Sequence, residues 1–249
     1  MSVAEQILRA KADYDEVYQS GYEKGKAEGG DTETAYNEGL EAGKQAEYDR
    51  FWDNSQEYGK RTNYSFAFYY YNDEMFKPKY DIIAKGTASN MFGYSRITNL
   101  VALIENAGIV FDISQTTNTG YLFNEAANLT EAPIINAPNS TTVDRIFNGC
   151  SSLIKAGIIF PENKITAYTN AFARCYELQD FTAGGVIDIP LSFAQSSKLT
   201  KASLDSIITA LKDFSGTTTT KTLTLHADSK AKLTDAEKAI ATEKGWTIA

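Results

Sequence analysis

Five segments of this chain share one frame, and that frame limits the fold more than any other feature. They are Met91-Phe92-Gly93-Tyr94-Ser95, Leu122-Phe123-Asn124-Glu125-Ala126, Ile146-Phe147-Asn148-Gly149-Cys150, Ala171-Phe172-Ala173-Arg174-Cys175 and Ser192-Phe193-Ala194-Gln195-Ser196. In the last four a leucine stands six residues after the phenylalanine, at Leu129, Leu153, Leu178 and Leu199, whereas the first offers Ile97 at the fifth position. The phenylalanines are 31, 24, 25 and 21 residues apart. Between them lie short β-branched runs bounded by turn residues, Ile109-Val110-Phe111, Ile134-Ile135-Asn136, Ile158-Ile159-Phe160 and Val186-Ile187-Asp188-Ile189. The position three after each phenylalanine takes only Ser, Ala or Cys, as expected where the backbone passes close by. A unit this small cannot bury its own apolar face, so neighbouring units must stack. The expectation is a short solenoid in which one ring per coil stacks on the next and the leucine fills the same core.

The frame Phe147-Asn148-Gly149-Cys150-Ser151-Ser152-Leu153 resembles the BspA-like leucine-rich-repeat pattern, and Phe172-Ala173-Arg174-Cys175-Tyr176-Glu177-Leu178 is a second copy. The resemblance covers roughly residues 87–200. It implies a surface or secreted binding protein of the kind found in gut and oral bacteria and some protists, acting by adhesion or recognition and not by catalysis. A further stretch, Lys44 to Asp53 followed by Arg61-Thr62-Asn63-Tyr64, is similar to segments attached to such repeats in prophage-encoded proteins of gut Firmicutes. The expected fold class is therefore α+β: a short leucine-rich-repeat solenoid over 89–200, a helical, coiled-coil-like arm over 1–60, a β-rich connector over 61–88 and a βαβ-type α/β cap over 201–249.

The flanks read as follows. Val3, Ile7, Ala10, Tyr14, Val17 and Gly21 alternate spacings of four and three, a heptad seam on a helix with charged flanks. A second polar helical stretch begins near Asp31 and runs toward Trp52. The arm holds 14 Asp/Glu against 7 Lys/Arg, while the other 189 residues hold 18 against 17. An acidic arm on a near-neutral body repels phosphate backbones and argues against nucleic acid. In the connector, Tyr64, Phe66 and Phe68 alternate before Tyr69-Tyr70-Tyr71 and the turn signal Asn72-Asp73. The triplet is either sheet packing or an exposed aromatic contact patch, and at least one tyrosine faces outward if it is a strand. Toward the end, Leu204, Ile207, Ile208, Leu211 and Phe214 share a helix face, and Thr222 to Leu225 alternates as a strand. Thr234-Asp235-Ala236-Glu237 is a capping box opening a second helix, and Trp246-Thr247-Ile248 is a last strand.

Residues for chemistry are sparse. His226 is the single histidine, and its neighbours Leu225 and Ala227 suggest no catalytic partner. Cys150 and Cys175 occupy the slot that Ser and Ala fill in the other frames, so they read as small buried hydrophobes and reduced thiols. Two cysteines are too few for a disulfide scaffold or a structural zinc site. Asp112, Asp180 and Asp188 lack the spacing of a calcium loop, and Gly184-Gly185 reads as a turn. No catalytic residue, cofactor or metal is expected. Met1 to Ile7 has no basic or apolar signal region, and no uncharged apolar run approaches the ~20 residues of a membrane span.

Three functions fit this reading. One is a phage or prophage virion protein, tail-associated, that contacts a protein or glycan receptor on a host surface. The second is a bacterial cell-surface adhesin binding host matrix or glycans, and the third a scaffold without ligand. Candidate contacts are Tyr69, Tyr70 and Tyr71 in the triplet, and Thr116, Thr117, Asn118, Asn139, Ser140 and Thr141 in the turns between frames. The polar heptad of the arm is too short to hold a lone helix in water, so residues 1–60 are expected to form a homo-oligomer, a trimer if tail-associated, with docking onto the first repeat or a frayed, solvated arm as the alternatives. Light scattering at tens of micromolar checks this: the full chain is expected to be oligomeric and residues 61–249 monomeric, and a monomeric full chain refutes it.

Overall fold

The repeat frame leads directly to the centre of the fold, a column of parallel phenylalanine rings. The computed structural model describes residues 64–249 apart from 66, 79 and 80, so the expectations for the 1–60 arm lie outside the described residues. Phe68, Phe92, Phe123, Phe147, Phe172 and Phe193 stack in sequence order. Their centroids are 4.9, 5.4, 5.3, 6.0 and 4.4 Å apart and successive planes are tilted by no more than 21°. Phe68 was not counted with the repeat because Tyr71 fills its small-residue slot. All six rings are fully buried, as are Leu129, Leu153, Leu178 and Leu199 beside them.

Main-chain hydrogen bonds lock the rings in register. The N–H of Phe68 donates to the carbonyl of Met91, that of Phe92 to Leu122, that of Phe123 to Ile146 and that of Phe147 to Ala171, at 2.7–2.9 Å. Each acceptor is the residue just before the next phenylalanine. Within each frame the residue three after the ring turns its N–H back onto the phenylalanine carbonyl, at 3.0–3.4 Å. That tight turn, packed against the preceding unit, is why only small side chains fit the slot in the five repeated frames.

An element begins eight residues after each of the five phenylalanines from Phe92 onward, but its type changes. After Phe92 it is helix α1 (Leu100–Ala107). After Phe123, Phe147 and Phe172 it is strand β3 (Glu131–Asn136), β4 (Lys155–Phe160) and β5 (Asp180–Gly185). After Phe193 it is helix α2 (Lys201–Ala210). Both helices start at a side-chain cap, Asn99 accepting from the N–H of Ala102 and Thr200 from that of Ser203. Strands β3, β4 and β5 form one parallel sheet. A different parallel sheet pairs β1 (Ile82–Thr87) with β2 (Phe111–Asn118), whose ends Thr87 and Asn118 lie five residues before their phenylalanines. A third joins β6 (Leu191–Phe193), β7 (Lys221–Leu225) and β8 (Trp246–Ile248), all parallel. Helices α3 (Ala227–Lys230) and α4 (Asp235–Glu243) connect β7 to β8, and the capping box of Thr234 with Glu237 opens α4.

These sheets correct the expectation of a single leucine-rich-repeat solenoid over 89–200. The described chain is an α+β fold of three small parallel sheets and four helices. The β-branched runs between frames are not equivalent: Ile109 to Phe111 leads into β2, the next two runs lie in β3 and β4, and Val186 to Ile189 follows β5 with one bridge, Ile187 to Leu211. The physical reason is edge satisfaction. The open edge of β5 meets α2, whose Ser203 and Ser206 hydroxyls accept from the N–H groups of Phe181 (2.8 Å) and Ala183 (3.2 Å). The same hydroxyls donate to the carbonyls of Gln179 and Phe181, at 2.8 and 3.1 Å. A helix thus replaces the next strand and ends the sheet without leaving an open edge there. Of the 61–88 connector, the described residues form turns up to Met75 and then β1.

Two substitutions test this account in one measurement. Phe147→Ala is expected to cost ~3–5 kcal/mol through the cavity it opens in the column. Ser203→Ala is expected to cost ~1–3 kcal/mol by stranding the buried N–H of Phe181. Urea midpoints of both variants check the order, and a silent Phe147→Ala would refute the column as the centre of stability.

Candidate binding surface

The turn that follows each ring has a conformational requirement that sets what reaches the surface. Two residues after Phe68, Phe92, Phe123, Phe147 and Phe172 the backbone is left-handed, with φ of 65, 52, 60, 78 and 60°. The residues there are Tyr70, Tyr94, Glu125, Gly149 and Arg174. Only Gly149 adopts this conformation freely, since other side chains are strained there by about 1–2 kcal/mol. Gly149 is also needed for space: a Cβ would lie 2.4 Å from Glu125 Oε2, because the Glu125 carboxylate pairs with Arg174 of the frame beyond.

At the other end of the column the same positions carry bulky aromatics. Tyr70 is 63% exposed and Tyr94 43% exposed, and Tyr69 lies half-buried against both. Ring centroids are 4.5 Å for Tyr69–Tyr70, 5.4 Å for Tyr69–Tyr94 and 5.9 Å for Tyr70–Tyr94, all tilted by more than 50°. Gly93 makes room for this, since a Cβ there would come within 2.8 Å of the Tyr69 ring. Burial, and then the neighbouring Tyr70 and Tyr94, push the Tyr69 phenol up to about 12. The Tyr69 phenol therefore stays neutral at physiological pH.

The structure sorts the sequence candidates. Tyr69 and Tyr70 belong to the patch, together with Tyr94, which sequence reasoning missed although it sits in the first frame. Tyr71 turns inward and packs edge-on against Phe68 at 5.6 Å. Thr116, Thr117 and Asn118 lie at the end of β2 and not in a turn. Thr116 is buried and donates to the carbonyl of Ile113. Ser140 is buried against Thr119, donating to the Thr142 carbonyl at 2.9 Å. Thr117, Thr141 and Thr166 each stand six residues before a phenylalanine, and each hydroxyl donates to the preceding unit, at Gly86, Thr117 and Thr141 respectively. These hydroxyls hold adjacent units together. Asn118 accepts from the N–H of Gly120, and the exposed Asn139 from Lys164 Nζ at 3.3 Å.

The remaining chemical groups are structural. His226 caps α3, its Nδ1 accepting from the N–H of Asp228 at 3.2 Å. Cys150 and Cys175 are free and buried, each Sγ donating to the phenylalanine carbonyl of the previous frame, Phe123 or Phe147, at 3.1 Å. Among the described residues no group of three or more His, Cys, Asp or Glu could hold a metal ion, and no helix is long and apolar enough to cross a membrane. No family model, curated protein or solved structure matches the chain.

Burial pushes the Cys175 thiol up to about 12 and Cys150 well above its ordinary value of 9.0. Both remain protonated in the folded chain at pH values where the unfolded chain ionises them. Their contribution to stability is therefore complete below about pH 9 and lost as pH rises toward about 12. Urea midpoints measured across that window are expected to fall, and to fall less steeply in Cys150→Ala/Cys175→Ala. Tyr69 leaves a residual slope of the same sign, and equal slopes in the two proteins would contradict the assignment.

Proposed function

We propose that this chain is a non-enzymatic recognition protein that contacts a cell-surface partner through the patch of Tyr69, Tyr70 and Tyr94. The observation that carries the reading is the exposure of Tyr70 and Tyr94 on left-handed backbone. A large ring at positive φ is an outlier, and such outliers concentrate at functional surfaces. Tyrosine suits recognition because it offers a rigid apolar face and a polar tip at a small entropic cost. Two neighbouring exposed tyrosines in mutual contact offer a compact aromatic contact surface. The similarity of Lys44 to Asp53 and Arg61 to Tyr64 to segments of prophage-encoded proteins supports a tail-associated role on a phage or prophage virion.

The test uses the labelled full chain on a panel of intact Gram-positive and Gram-negative bacteria, read by flow cytometry. Tyr70→Asn/Tyr94→Asn removes both exposed rings while keeping a residue that tolerates the left-handed conformation. Binding to at least one strain is expected for the native chain, with at least tenfold loss in the variant at unchanged thermal midpoint. Equal binding by the two proteins, or no binding to any strain, rejects the reading.

A further inference from the structure

We infer that the tyrosine patch takes an uncharged saccharide, with the exposed faces of Tyr70 and Tyr94 as stacking platforms, an inference that rests on the recognition role proposed above. The geometry of the rings speaks against the other common aromatic-dependent ligand, a proline-rich peptide. Such peptides dock in aromatic-lined grooves. Here the three rings touch one another, with centroids 4.5–5.9 Å apart and mutual tilts of 52–74°, so no slot for a proline ring separates them. What remains is outward ring surface edged by phenol hydroxyls.

That surface matches a ligand whose own surface alternates C–H faces with hydroxyls. Each phenol both donates and accepts, and the raised Tyr69 keeps its proton. Asn90 adds an amide at the edge of the patch: its Oδ1 would lie 3.2 Å from a Cβ at Gly93, the residue beneath the Tyr69 ring. Its Nδ2 donates to Ser89 Oγ at 3.2 Å.

Two cations of the later frames favour a neutral ligand over an anionic one. Arg174 is paired with Glu125. Arg145 is paired with Asp144 at 3.2 Å and lies over the Tyr121 ring at 5.2 Å from its centroid. These two cations, already neutralised by carboxylates, are poor anchors for sulfated or sialylated glycans.

The full chain, Tyr70→Asn/Tyr94→Asn and Tyr176→Ala are applied to printed neutral, sialylated and sulfated oligosaccharides and to immobilised decaproline. Tyr176 is an exposed tyrosine of a different frame and serves as the control. The expected result is binding of the native chain and of Tyr176→Ala to at least one neutral oligosaccharide, weakened at least tenfold in the double variant. Binding only to charged glycans, binding only to decaproline, no binding, or equal binding by the double variant each overturns the saccharide assignment. A cell arm separates this failure from failure of the recognition role. Tyrosine-dependent binding to intact cells that survives periodate oxidation but not protease treatment leaves the role standing with a protein partner. Loss on periodate treatment supports the saccharide.

Discussion

The parallel stacking of six phenylalanine rings is the constraint on which the rest of this structure depends. Each inner ring is covered by the ones before and after it, so no single frame is stable alone, and the frames persist only as a set. Stacked rings add about 0.5–1.5 kcal/mol per pair beyond the area they bury. The larger effect is geometric. From Phe68 to Phe147, each ring is tied to the next frame by a backbone hydrogen bond, which keeps successive frames in one register. Substituents at the same offset from the ring then recur in columns. The buried leucines, the small residues at the turn and the threonine hydroxyls six residues before the ring are three such columns.

The left-handed turn residue makes a fourth column, and it is the one that reaches solvent. Its occupants change along the stack from tyrosine to glutamate, glycine and arginine while the backbone stays the same. A conserved geometry with varied side chains allows one end to carry an aromatic patch and the other an ion pair across Gly149. The thiols of Cys150 and Cys175 show the opposite behaviour. They lie on the inward side of the same turn, and their chemistry is limited to a hydrogen bond onto the previous frame.

The repeat itself was legible in the residues, because phenylalanine, a small residue and leucine at fixed spacing are core features that recur unit by unit. Phe68 reads in the sequence as part of the connector's alternation and not as a frame, since Tyr71 stands where the other frames carry a small residue. The sheet arrangement was less legible, although a trace of it was present. The β-branched runs start 17, 11, 11 and 14 residues after their phenylalanines, and only the two runs with equal spacing fall in the same sheet. Treating all four as one class led to a single solenoid where the chain forms three sheets. Of the candidate contacts, Tyr69 and Tyr70 were placed together, while Tyr71, Thr116 and Ser140 turned inward. Composition alone does not report which way a residue faces: Thr116 lies in strand β2, Tyr71 packs on Phe68 and Ser140 hydrogen-bonds with Thr119.

By itself the sequence determined most of the unit, ahead of the element that follows each ring: which residues of the five frames form the buried column and which positions must stay small. Those features are local in the chain and periodic, so periodicity suffices to read them. Only the tertiary structure decided whether that element is strand or helix beside its neighbours, because Ser203 and Ser206 must find the edge of β5 before a helix becomes a better partner than another strand. Only the tertiary structure, too, brought Tyr94 against Tyr69 and Tyr70. These residues are 25 and 24 positions apart in sequence, and their contact exists because stacked rings set adjacent frames about 5 Å apart.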